Sequence, residues 1–181
     1  MKHLRRFAQA AFMLCGILCL AAAAAAADRA AGCIQIQEQQ LSVSGISREY
    51  ELFLMADTHI SLCDERDSGL IEKADSRRKA FENESGRTAV RTMQNLIKES
   101  IDGDADLTIL AGDIVDSAMY ASIDFVQEQV NRLEQPYLYV TGNHDFEYGS
   151  EYFSKKAYRK YFPRLKGLTG TSEQYVIHEF D

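Results

Sequence analysis

The chain has 181 residues, 46% of them hydrophobic and 26% charged. That length suits one ordinary domain, and the composition excludes collagen-like, coiled-coil and disordered classes. The formal net charge of −7 disfavours a polyanion such as nucleic acid as a partner.

The N-terminus carries Lys2, Arg5 and Arg6, then an apolar stretch from Phe7 that ends in seven consecutive alanines before Asp28 and Arg29. A basic start, an apolar middle and small residues before a polar break predict a signal peptide over residues 1–27 and an exported protein. Two rival readings keep the chain at a membrane: an uncleaved anchor, or a lipid on Cys33 after Ala30, Ala31 and Gly32. Cleavage after Ala27 leaves 17 basic and 27 acidic residues, a net charge of −10. It also leaves only Cys33 and Cys63, either paired in an oxidising compartment or as two separate thiols.

Residues 28–49 read as a polar lead-in followed by a short edge strand, because Leu41–Ile46 alternates apolar and polar. Residues 50–181 form the main domain. Tyr50–Ala56 is a compact apolar run and predicts a buried strand. Residues 61–87 are highly charged and read as a solvated insertion, with a helix near residues 70–82, that either shapes substrate access or, the reading favoured slightly, only decorates the surface. Val90, Met93, Leu96, Ile97 and Ile101 recur at helical spacing, and Asp102-Gly103-Asp104 ends that helix. Leu107–Ala111 is a second buried strand, Ile123, Val126, Val130 and Leu133 mark another helix, and Tyr137–Val140 follows Pro136 as a third strand. Residues 150–161 read as helical, and Tyr175–Phe180 alternates as a further strand. Strands alternating with helices predict an α/β fold with a largely parallel sheet, whose chemistry sits at the carboxyl ends of the strands.

The residues just after each strand fit that rule. Asp57-Thr58-His59 comes after the first, Gly112-Asp113-Ile114-Val115-Asp116 after the second, and Thr141-Gly142-Asn143-His144-Asp145 after the third. Asp57 and His59 point the same way on an extended segment, and Asp with His suits Zn, Mn or Fe. Gly112 and Gly142 permit tight turns, and Asp113 has the chemistry to bridge two cations. Taken singly, Asp113 and Asp116 also read as helix caps and Asn143–Asp145 as a polar turn. Three such clusters in order, each directly after an apolar strand, favour a metal centre.

These motifs, Asp-x-His, Gly-Asp-x-x-Asp and Gly-Asn-His-Asp in this order, resemble those of the calcineurin-like metallophosphoesterases over residues 50–181. The resemblance implies an αββα sandwich of mixed β-sheets flanked by helices, and two divalent metal ions (Mn, Fe or Zn). It implies that Asp57 and His59 bind the first metal, that Asp113 bridges both and that Asn143 binds the second. It further implies that His144 faces a small phosphate-ester substrate, that Asp145 orients His144, and that Asp116 lies behind the ligands. The implied reaction is phosphoester hydrolysis by a metal-activated water.

The family pattern continues with a further His and a Gly-His-x-His motif, whereas this sequence has four histidines and only His178 is left, in an alternating strand pattern that reads as structural. The expectation is therefore a fold truncated at its C-terminus. Two alternatives stand beside the hydrolase: a truncated or degenerate non-catalytic chain, and an exported calcium-binding domain that uses the same carboxylates.

Overall fold

The computed structural model describes residues 35–82, 86–146 and 155–170. The leader, Cys33, residues 150–154, Tyr175–Phe180 and His178 lie outside them. No helix among the described residues is long and apolar enough to cross a membrane.

Residues 35–48 belong to a unit of their own. The edge strand expected over Leu41–Ile46 is absent: a turn interrupts it, Gly45 has φ +94°, and Leu41, Val43 and Ile46 are all exposed. Alternation alone builds no strand where neither face is buried.

The second unit, from Glu49 onward, holds a three-stranded sheet in the order β1 (Leu52–Met55), β2 (Leu107–Ala111), β3 (Tyr137–Val140). Both pairings are parallel, with Leu54 opposite Ile109 and Ile109 opposite Leu138. Between β1 and β2 come a 3-10 segment, Glu65–Leu70, and the helices α1 (Ile71–Ala80) and α2 (Ala89–Asp102). Helix α3 (Tyr120–Val130) joins β2 to β3, and α4 (Lys155–Thr169) follows. This is the expected α/β architecture of alternating strands and helices.

Apolar spacing explains the helices. Met93 and Ile97 on α2 and Val126 and Val130 on α3 are fully or almost fully buried, and they join Met55, Leu110 and Tyr139 of the sheet in one core. Thr88 caps α2 by accepting the Arg91 N–H at 3.3 Å. The rival reading of Asp113 and Asp116 as caps does not apply to α3, whose N-cap is Met119. Asp67, from the charged insertion, accepts the Tyr120 N–H at 2.9 Å. Helix α4 runs on through Pro163 past its expected end near residue 161, because Leu165 and Leu168 are fully buried and anchor its second half. Strand β1 is half-buried rather than buried: Met55 points into the core while Leu52 and Leu54 are exposed.

Candidate metal centre

Two of the three strand-end loops are laid side by side by the sheet itself. Past β1 and β2 the parallel pairing continues as a backbone ladder: Asp57 N–H donates to Gly112 O at 3.1 Å, His59 N–H to Asp113 O at 3.0 Å, and Ile60 N–H to Ile114 O at 2.8 Å. The loops do not run extended. Asp57 (φ +55°), His59 (φ +47°) and Asp113 (φ +53°) all sit in the left-handed region. Asp and His tolerate that region better than most residues, yet each such residue costs on the order of 1–3 kcal/mol and persists only where its surroundings hold it. The left-handed turns, rather than an extended backbone, bring Asp57, His59 and Asp113 together: each offers a ligand atom, and these atoms lie within 4.8 Å of one another.

The third loop is joined to them through Asp145, which is fully buried. Its Oδ2 accepts the N–H of Asp113 at 2.8 Å and of Gly142 at 2.6 Å. Its Oδ1 accepts the Val115 N–H at 2.9 Å and the Tyr139 hydroxyl at 2.8 Å. Burial raises the Asp145 pKa above the ordinary carboxylate value, against the lowering effect of these hydrogen bonds. Burial likewise pushes the Tyr139 phenol well above its usual range, and the neighbouring Asp145 carboxylate adds to the rise. Gly142 is required by this approach. A Cβ there would stand 2.7 Å from the Asp113 backbone nitrogen and overlap the Asp113 carboxylate. The Asp113 Oδ1 in turn accepts the His144 N–H at 2.8 Å, so half-buried Asn143 is carried between two residues in contact with Asp113.

The carboxylate on the His144 ring is that of Asp116, not Asp145 as expected. Asp116 Oδ1 lies 2.8 Å from His144 Nδ1 and 3.3 Å from His59 Nδ1. Asp145 is drawn away because its acceptor positions are filled by three backbone amides and a tyrosine. Asp116 is almost wholly buried. Burial opposes its ionisation, but hydrogen bonds from Arg77 and His144, with the His59 ring close by, outweigh that and hold its pKa down to about 2. His59, His144 and Asp116 form a second group whose potential ligand atoms lie within 4.8 Å of one another.

The donors fit a divalent cation. A pair of carboxylates with an imidazole suits Zn, Mn or Fe. His59 Nε2 lies 3.7 Å from Asp57 Oδ1, while its buried Nδ1 makes no hydrogen bond and faces Asp116. A carboxylate behind the second ring nitrogen is the usual arrangement for a metal-binding imidazole.

The charged insertion departs from the slightly favoured of its two readings, surface decoration. It packs against this centre through Arg77 and Phe81 instead of only decorating the surface. Nothing in its composition singled those two residues out, since α1 buries only Ala74.

No curated protein matches the chain. Among solved structures it is similar to the crystal structure of a dimetal phosphatase from Danio rerio, with 16% identity and a TM-score of 0.38 over 65% of this chain. The chain spans about a third (33%) of the length of that structure. The calcineurin-like phosphoesterase family matches residues 51–178, which contain all three strand-end motifs. The chain belongs to the calcineurin-like phosphoesterase family.

Proposed function

We propose that the protein is an exported, metal-dependent hydrolase of small phosphate esters. The observation that carries the chemistry is the convergence of Asp57, His59 and Asp113 on one point at the carboxyl end of the sheet. Family membership supplies the reaction class, and the basic-then-apolar start of the sequence supports export.

Asp57, His59 and Asp113 would hold a first divalent cation, and Asp113 with Asn143 a second. Such cations supply a water of lowered pKa and neutralise charge on phosphoryl oxygens. The remaining roles fall to this chain's own groups. The Asp116 carboxylate only accepts hydrogen bonds, so His144 Nδ1 carries the proton that faces it. With a proton on Nε2 as well, His144 would stabilise charge developing on a substrate oxygen or deliver that Nε2 proton to the leaving group. Asp145 acts through the backbone, keeping the Asp113 and Gly142 loops in register.

The test is hydrolysis of p-nitrophenyl phosphate and bis-p-nitrophenyl phosphate by the full chain with Mn2+, against the same chain with a chelator. Turnover that needs the metal supports the reading. Metal binding without turnover favours the non-catalytic alternative, which rests on the sequence holding only four histidines.

A further inference from the structure

Arg77 on α1 grips Asp116 with two parallel hydrogen bonds: Nε donates to Oδ2 at 2.6 Å and Nη2 to Oδ1 at 2.8 Å. Phe81, just past α1, lies flat on the His59 ring, with centroids 4.4 Å apart and planes inclined by 6°. The Arg77 guanidinium also sits over the Phe81 ring, 4.6 Å from its centroid. His59 meets His144 edge-on, at 4.6 Å and 86°. Arg77, Phe81, Asp116 and the two imidazoles therefore pack as one connected set.

We propose that the insertion is a positioning element for the metal centre. Arg77, acting through Asp116, sets the ring orientation and tautomer of His144, and Phe81 sets the ring orientation of His59 by direct stacking. A guanidinium fork fixes the plane of a carboxylate as a single ammonium does not. With that plane fixed, Oδ1 accepts from His144 Nδ1 at 2.8 Å, which places a proton on that nitrogen, and it stands 3.3 Å from His59 Nδ1, which faces it without a hydrogen bond. Phe81 blocks the rotation of the His59 ring that would exchange its two nitrogens. The consequence for metal affinity rests on the hydrolase reading, whereas the effect on the rings does not.

The experiment records imidazole 15N–1H correlations of the metal-free full chain, and Mn2+ affinity by calorimetry, for the unsubstituted protein, Arg77→Gln, Phe81→Ala and Arg78→Gln. Arg78 lies on the same helix, and its exposed pair with Asp75 serves as the control. Arg77→Gln is expected to mix the tautomers of His144, Phe81→Ala to change the His59 signals alone, and each to weaken Mn2+ binding about 10–100-fold. Arg78→Gln should change neither. If Arg77→Gln and Phe81→Ala give the ring signals of the control, the proposal is overturned. Should either variant fail to fold, Arg77→Lys and Phe81→Leu decide on the same signals, since each keeps charge or bulk without the geometry. Should the unsubstituted chain take up no Mn2+, the hydrolase reading falls, and the ring signals still decide the positioning role.

Discussion

The carboxylate of Asp145 accepts the backbone N–H of Asp113 at 2.8 Å, so a residue expected behind His144 instead holds the loop that presents a metal ligand. The same carboxylate accepts three further hydrogen bonds, from Gly142, Val115 and Tyr139. Asparagine at this position keeps one acceptor oxygen and turns an amino group toward backbone donors. Asp145→Asn should destabilise the protein by about 1–3 kcal/mol for each amide left unpaired. Tyr139→Phe, which removes one of the four partners, should cost about 1 kcal/mol. Denaturant unfolding of both variants checks the order. Equal small losses would mean that Asp145 does not tie the loops together.

Gly142→Ala places a Cβ 2.7 Å from the Asp113 nitrogen. Overpacking of this kind costs about 1–3 kcal/mol, and here the backbone that must yield carries a ligand. The expected outcome is a folded protein, by circular dichroism, whose Mn2+ binding is lost. Undiminished Mn2+ binding would show that the two loops separate freely.

Asp116→Asn replaces the acceptor for the His144 ring nitrogen with an amide that can present its donor instead. Activity should fall about 10–100-fold, with kcat lowered more than KM is raised, because the group acts through His144 and not on substrate binding. A change in KM alone would place Asp116 outside the chemistry.

The strands and the ligand-bearing loops were legible because an apolar run followed by Asp, His or Gly-Asp is a local pattern. The fold class and the nearness of Asp57, His59 and Asp113 follow from it. Which carboxylate faces His144 was not legible. Asp116 and Asp145 both lie in polar loops, and their directions depend on the left-handed turn at Asp113, on the buried Tyr139 hydroxyl and on amide donors of Asp113 and Val115 about 30 residues away. Arg77 and Phe81 left no signal either, since Arg77 meets Asp116 across 39 residues of sequence and its helix has no apolar stripe. The lead-in shows the converse error: Leu41, Val43 and Ile46 alternate as a strand does, and no buried face recruits them.

Cys63 is a free, half-buried thiol whose Sγ lies 3.2 Å from Asp67 O and 3.6 Å from Asp64 O. Burial raises its pKa above the ordinary thiol value, and the Asp67 and Asp64 charges raise it further. Less thiolate is present at pH 8 than in an unfolded chain, so alkylation of the Cys63 peptide, followed by mass spectrometry, should be slower in the native protein. Its rate should still climb above pH 9. Because the folded pKa is the higher one, the thiol's contribution to stability is present at lower pH and is lost as pH rises through that value. A native rate that levels off at or below the pH where the unfolded chain's rate does would contradict the shift.

Calorimetric titration of the full chain and of Asp113→Ala with Mn2+, and then with Ca2+, tests the metal centre most directly. Asp113 belongs to the ligand group with Asp57 and His59, and an imidazole in the donor set disfavours calcium. The account requires Mn2+ to bind more tightly than Ca2+ and the Asp113→Ala chain, still folded, to lose that binding. Mn2+ binding that survives the substitution, or a preference for Ca2+, would contradict it.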